Sequence, residues 1–270
     1  MEPGKLTIVV RGGGDIATGT ICRLHRCGFK VVVLEVEHPR AIRRAVSLAE
    51  AVYDGRQTVE GVTAERIERA EQCGDIWQRG HVPLLVDPRA ESLGQLRPYA
   101  VVDAILAKRN LGTHKGMAGI TIALGPGFVA GKDVDAVIET ARGHDLGRVL
   151  TTGSAMANTG IPGAVHGYTT ERVLYAPQSG VLTVIRDIGS RVETGELLAT
   201  INTTPILAPF PGIVRGIIRN QSLVHQGLKI ADIDPRASET HNCFTISDKA
   251  RCISGGVLEA LLCLHSVNVP

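Results

Sequence analysis

Aromatic side chains make up only 3% of this chain, so base-stacking platforms for single-stranded nucleic acid and sugar-lined clefts are not expected. A one-signed charge is equally lacking. With 29 Lys and Arg against 27 Asp and Glu, the formal charge of +2 gives no electrostatic case for nucleic acid or an acidic membrane. No apolar run is long enough to span a bilayer, and Met1 to Lys5 lead straight into a strand pattern, so a soluble, cytoplasmic protein is expected. The six cysteines (Cys22, Cys27, Cys73, Cys243, Cys252 and Cys263) form no C-x-x-C pair and no zinc-ribbon spacing. No metal site is therefore expected, and the thiols should be reduced. Cys22 and Cys263 fit apolar helical patterns and read as core, whereas Cys243 and Cys252 flank a polar segment and read as reachable.

What is present begins with Val9-Val10-Arg11-Gly12-Gly13-Gly14-Asp15-Ile16-Ala17. An apolar run from Leu6 to Val10 is broken by three glycines before an amphipathic segment carrying Ala17, Ile21 and Leu24 on one stripe, with Arg23, His25 and Arg26 pointing away. A second run, Val31 to Val36, completes a βαβ unit with Glu35 near its end. Gly12-x-Gly14-x-x-Ala17 fits the dinucleotide fingerprint: Gly12 for the sharp turn, Gly14 for approach of a phosphate, Ala17 for close helix packing, and Glu35 for a ribose. Gly13 lies between them, and Asp15 at the helix start would compete with a phosphate for the free amides. The same glycines would also relieve crowding at any βα corner, so both readings stand.

Further along, Arg40 to Glu50 and Ala64 to Gln72 read as helices, the first with Arg40, Arg43 and Arg44 in its early turns, the second capped by Thr63. Val82 to Val86 reads as a strand, as does Ala100 to Ala107, which carries Asp103 in its middle. A buried carboxylate must be paired, and Lys108 or Arg109 is the expected partner, unless these serve an anionic ligand. Ile120 to Leu124 runs into a second glycine loop, Gly125 to Asp133, holding Gly127 and Lys132. It lacks the Gly-Lys-Ser/Thr ending of a Walker A loop, which disfavours P-loop phosphoryl chemistry. Val134 to Thr140 follows as strand or short helix, then Arg142 and His144, then a turn-rich span with Asn158-Thr159-Gly160 and Ile161-Pro162-Gly163.

From Ala176 the chain repeats itself at an offset of thirty-two: Ala176-Pro177-x-x-Gly180 against Ala208-Pro209-x-x-Gly212, Val192-x-x-Gly195 against Val224-x-x-Gly227, and Leu198-Ala199-x-Ile201 against Ile230-Ala231-x-Ile233. Two interlocked β half-units are expected, each burying what the other leaves open. This resembles the biotinyl and lipoyl-type hammerhead, whose carriers hold a lysine in the hairpin between the halves. Here that junction is Asn202-Thr203-Thr204-Pro205, so no biotin or lipoate attachment is expected. A final helix is expected after Arg251, capped by Ser254, opened by Gly255-Gly256, with Val257, Leu258, Leu261, Leu262 and His265 on its apolar side.

The expected fold is α/β: a Rossmann-like, mostly parallel sheet domain over 1–171, completed by 237–270, plus a small all-β hammerhead over 172–236. Taken together, the opening glycine turn, Val102 to Asn110, Leu124 to Phe128, Ile138 to Thr140 with Arg142 to His144, the lysine-free repeat and Ser254 to Glu259 resemble the YqeB family of selenium-dependent molybdenum hydroxylase accessory proteins. The resemblance implies a cytoplasmic role in maturing a molybdenum hydroxylase, with that enzyme as partner, a molybdopterin-type cofactor or nucleotide as ligand, and no settled reaction. The ligand is expected at the carboxyl ends of the strands, held by Gly12, Gly13, Gly14, Asp15, Glu35, Lys108, Arg109, Gly125, Gly127, Lys132, Arg142 and His144. Two other readings stay open: an NAD(P)-dependent oxidoreductase with Glu35 on the ribose and His144 as proton donor, and sulfur or selenium transfer through Cys243 or Cys252. Catalytic residues and oligomeric state are not specified by the sequence.

Overall fold

The structure, a computed structural model, describes residues 1–160 and 165–268; the turn expected at Ile161-Pro162-Gly163 lies outside the described residues. The chain forms a mixed α/β protein of two compact units. One comprises 1–39, 47–158 and 246–270, the other 40–46 and 159–245. Residues 40–46, 159–160, 165–171 and 237–245, assigned from sequence to the larger domain, fall within the smaller unit.

In the larger unit, β1 (Thr7–Arg11), helix α1 (Asp15–Arg26) and β2 (Lys30–Glu35) follow the expected βαβ order. A short helix α2 (Ala51–Asp54) then leads to β3 (Arg56–Val59), β4 (Val62–Ile67), α3 (Cys73–Gln78), β5 (Val82–Val86), α4 (Leu93–Leu96), β6 (Ala100–Asp103), β7 (Ile120–Leu124), β8 (Ala136–Ile138) and β9 (Val149–Leu150). They make a nine-stranded sheet in the order β3-β4-β5-β2-β1-β6-β7-β8-β9, parallel except at its two edges. Parallel strands covered on both faces require apolar residues at every position, and Ile8, Val9 and Val10 are all fully buried. One face packs Val9, Val32, Leu34, Leu85 and Val101 with Cys73, Ile76 and Trp77 of α3. The other carries α1 and the final helix, α5 (Asp248–Asn268).

Helix α1 buries the expected Ala17, Ile21 and Leu24, and also Thr18, Gly19, Thr20 and Cys22, because α5 lies against it. Arg23 is therefore not a solvated side chain. Its Nε donates to Ser254 Oγ at 2.8 Å. Helix α5 begins six residues before the expected cap: Ser247 Oγ accepts the Ala250 amide at 3.2 Å, and Ser254 is buried in the helix interior. Leu262 and Cys263 are exposed, the core stripe being Ile253, Val257, Ala260 and Leu261.

Two helices expected from sequence do not form. Residues 64–72 contain most of β4, paired to β3 across a Glu60-Gly61 turn with both residues at positive φ (45° and 81°), as a tight hairpin requires. Thr63, expected as a cap, shares a hydrogen bond with Thr58 at 2.8 Å across the strands. Residues 40–50 break into short 3₁₀ turns at Arg44–Val46 and Leu48–Glu50 because the first part of the segment packs in the smaller unit. Ile42 joins that unit's core, and Arg43 donates to the carbonyls of Asn242 and Thr245, both at 2.9 Å.

The smaller unit contains β10 (Val173–Tyr175), β11 (Gly180–Val184), β12 (Arg191–Val192), β13 (Leu197–Ile201), β14 (Thr204–Leu207), β15 (Gly212–Ile217), β16 (Leu223–Val224) and β17 (Lys229–Asp234). Two antiparallel sheets result, β10-β17-β15-β12 and β14-β13-β11-β16. The short strand of each sequence repeat pairs with the other repeat: β12 with β15, and β16 with β11. Positions equivalent in the two repeats are buried together, including Leu182 and Val214, Val192 and Val224, Leu198 and Ile230, and Ile201 and Ile233. Each such aliphatic side chain contributes roughly 1.5–3 kcal/mol by burial, so neither half would hold its fold without the other.

Candidate functional site

The order of the large sheet contains a topological switch point. From β1 the chain passes through α1 to β2 on one side, while β6 lies on the other, and open α/β sheets bind ligands outside the carboxyl ends of strands that diverge in this way. The carboxyl-end residues of β1 and β6 are Arg11 and Asp103, which are neighbours in register.

Both are buried, 3% and 2% exposed. Arg11 Nη1 donates to Thr113 Oγ1, whose hydroxyl in turn donates to Asp103 Oδ2, each at 2.5 Å. The direct Arg11 to Asp103 separation is 3.8 Å, and Arg11 Nη2 also donates to the Pro88 carbonyl at 3.0 Å. Burial pushes the Asp103 carboxyl above its usual range, with the Thr113 hydroxyl, the Ile105 amide and Arg11 acting against that shift. The expected partner, Lys108 or Arg109, is thus corrected to Arg11 through Thr113. Asp103 also ends its strand instead of occupying its middle. Beyond it, Leu106 and Lys108 take positive φ and Lys108 and Arg109 are exposed.

The first glycine turn has a different task at each position. Gly12 (φ 95°) donates to the Leu34 carbonyl, and a Cβ there would sit 3.0 Å from the Ala104 carbonyl oxygen. The Gly13 amide donates to Glu35 Oε2 at 2.7 Å, and its carbonyl accepts from Ser47 Oγ and the Ala49 amide, both at 2.9 Å. Glu35 Oε1 accepts the Val36 amide at 2.8 Å, and burial pushes this carboxyl up. The acid expected on a ribose therefore holds the glycine turn itself. Only Gly14 is open: it is the N-cap of α1, supplies no capping side chain, and an added Cβ would meet nothing within 4 Å. The first amides of a helix lack intrahelical acceptors, and its amino end favours an anion.

Around that end the structure adds a residue that the sequence reading did not single out. Lys249, in the first turn of α5, is half-buried. Burial pulls its ammonium below the usual lysine range and Arg142 adds to this, while Asp15, Glu139 and Asp248 favour the charged form. Arg142 makes a two-pronged contact to Asp248, at 3.0 and 3.2 Å. Glu139 is 5% exposed and accepts the amides of Thr140, Ala141 and Met156, each at 2.7 Å, so it fixes the loop after β8. A lysine six and seven residues before the two glycines of a helix gave no periodic signal, and its role depends on the packing of α5.

The second glycine loop is built for packing. At Gly125 (φ 76°) a Cβ would lie 2.5 Å from Thr140 Oγ1, and at Gly127 (φ 110°) it would lie 2.7 Å from Arg109 Cα. Lys132 and His144 are exposed on their loops. Among the described residues no group of three or more His, Cys, Asp or Glu is placed to hold a metal ion. Cys243, expected to be reachable, is 2% exposed, donates to the Val214 carbonyl, and burial pushes its thiol up. Cys252 is exposed, with its thiol 3.1 Å from the Leu146 carbonyl. No described helix is long and apolar enough to cross a membrane.

No family model matches the chain. Over 266 residues, 98% of its length, it is 51% identical to the uncharacterized protein YqeB of Escherichia coli (strain K12), which supports the resemblance to the YqeB family. The match covers 49% of that relative, so the chain spans about half of its length. Among solved structures, the product-bound and apo forms of the Ectoine utilization protein EutE (DoeB) from Ruegeria pomeroyi align over 84% of the chain and 84% and 85% of their own, at 11% and 8% identity. Their TM-score of 0.25 carries no argument about fold or function.

Proposed function

We propose, from this kinship with one half of YqeB, that the chain is an accessory protein in the maturation of a molybdenum hydroxylase, holding an anionic phosphate ester of the molybdopterin or nucleotide type at the amino end of α1. The observation that carries the binding part is the open backbone at Gly14, next to Asp15, whose charge acts on Lys249. In this reading the larger unit is Rossmann-like, and the smaller unit is a hammerhead of the biotinyl and lipoyl type. Its Asn202-Thr203 junction has no amine to carry a prosthetic group, and it serves to dock the client enzyme.

The residues fit such a group. Helix amides at Asp15 and Ile16 would hold the phosphate, Lys249 and Arg142 would balance its charge, and Arg11, Thr113 and Asp103 would form a fixed floor to the crevice. The bound cofactor would supply a molybdenum dithiolene; this chain's part is to bind and orient. A nicotinamide dinucleotide fits less well, since Glu35 is engaged by Gly13 and Val36. Sulfur or selenium transfer through Cys243 would need a thiol that is not buried.

The test uses Gly14→Val, which has room for its Cβ, and Lys249→Met. Wild-type protein isolated from its native host should carry a pterin or nucleotide, detected by mass spectrometry of the released small molecules. Gly14→Val should lose it while melting normally. Lys249→Met should retain about a tenth or less, since a charged hydrogen bond is worth roughly 1.5–3 kcal/mol. Undiminished ligand in a well-folded Gly14→Val protein would sink the proposal.

A further inference from the structure

A cavity of about 220 Å³ lies along the carboxyl-terminal half of α1, on the larger unit and away from the helix start. Three arginines line it: Arg23 and Arg26 from α1 and Arg251 from α5, together with Cys27, Ser254 and Ile246. Arg23 and Arg26 stand three residues apart on one helix face, at the end where positive charge suits the helix dipole. Arg251 stands in the first turn of α5, where the dipole opposes it.

The charges around this cavity do not balance. Glu60, at the β3–β4 turn, is the carboxylate that answers them, at 2.6 Å from Arg251 Nη2 and 3.7 Å from Arg26 Nη2. Its place is fixed, because Oε1 also accepts the Ile246 amide at 2.8 Å. Among the described residues Arg23 is held by neutral groups, Ser254 Oγ at 2.8 Å and the Arg251 carbonyl at 3.2 Å. Three guanidiniums against one carboxylate leave about two positive charges facing a small cavity. Guanidinium forks match phosphate oxygens in geometry; Arg23 is held by the hydroxyl and carbonyl contacts just given, and Arg26 Nη2 also donates to the Glu60 carbonyl at 2.5 Å.

We infer that this cavity is a second anion site, selective for a small phosphate anion of charge two or more: inorganic phosphate, pyrophosphate or the terminal phosphate of a monoester. Its volume falls below the roughly 300–1,000 Å³ of sites for drug-sized ligands, which excludes a whole nucleotide. Glu60 acts as a resident competitor for Arg26 and Arg251. A ligand that enters exchanges those contacts for its own oxygens.

Cys27 gives a local reading, because it lines the cavity and is exposed. With the full-length protein in a constant-ionic-strength chloride buffer, pyrophosphate should slow alkylation of Cys27 by iodoacetamide, read peptide by peptide, and leave Cys252 and Cys263 unchanged. Phosphate should do so at higher concentration. Arg26→Gln and Arg251→Gln, both at exposed positions, should each raise the protecting concentration about tenfold or more, and Glu60→Gln should lower it. Protection that follows ionic strength alone, or that survives both arginine changes, would overturn the inference, as would an absence of protection in the wild type. Gly14→Val should leave Cys27 protection intact, which separates this site from the one at the helix start.

Discussion

At the scale of single residues, Asp103 concentrates the physics of the strand edge. Its carboxylate takes the Thr113 hydroxyl and the Ile105 amide and faces Arg11, yet burial outweighs all three and raises its pKa. A carboxyl whose pKa rises on folding binds protons more tightly in the native state, so its contribution to stability is greatest at low pH and falls as pH rises through the folded value. Asp103→Leu should cost about 3–5 kcal/mol, since it leaves Arg11 buried without its counter-charge and the Thr113 hydroxyl without its acceptor. Asp103→Asn keeps an acceptor and should cost much less, gaining on the wild type as pH rises above the ordinary carboxylate range. Denaturant unfolding across a pH series decides it. Equal damage from both substitutions at the upper end would mean that the charge, and not its desolvation, matters. The sequence required a partner for Asp103 but pointed to Lys108 and Arg109. Arg11 was passed over because it lies ninety-two positions away, and only strand pairing brings it near.

At the scale of elements, α5 shows how two adjacent glycines can carry opposite meanings. At Gly256 a methyl group would overlap the Gly147 carbonyl oxygen and sit 2.9 Å from Ile138 Cγ2. At Gly255 the nearest atom is Arg23 Nη1, 3.9 Å away. Ala is favoured over Gly in a helix interior by roughly 0.5–1 kcal/mol. Gly255→Ala should therefore raise the melting temperature, whereas Gly256→Ala should lower it, the overpacking costing about 1–3 kcal/mol or more. Thermal melts of the two variants give the sign directly. The strands at Val82–Val86 and Ile120–Leu124 were legible because buried parallel strands read as unbroken apolar runs. The segment 64–72 misled because Thr63 followed by Glu65 matches a helix start, whereas the hairpin turn at Glu60-Gly61 set its state.

At the scale of the whole molecule, the chain passes between its two compact units four times, after residues 39, 46, 158 and 245. Residues 40–46 pack in the smaller unit, and α5, at the far end of the chain, packs in the larger one. A protease site placed at the exposed stretch 157–160 should yield two fragments that elute together under native conditions and part only in denaturant. Fragments that separate on a sizing column without denaturant would show that these exchanged segments contribute little. The repeat that builds the smaller unit was legible because equivalent core positions recur at a constant offset, as two halves burying one another require. The departure of 40–46 was not, since its apolar spacing suits a helix as well as a strap over another core.

The sequence by itself determined the βαβ opening, the turn at the three glycines, the doubled β unit and the lack of an amine at its junction, because each is written in local spacing and residue type. Tertiary structure alone decided what those glycines do. Gly12 and Gly13 are spent on Ala104, Ala49 and Glu35, and only Gly14 faces open space. It also decided that Lys249 and Arg142 share the electrostatics of the strand edge and that Arg23, Arg26 and Arg251 surround one cavity. Such sets form between segments far apart in the chain, and their charges act through distances that packing fixes and spacing does not.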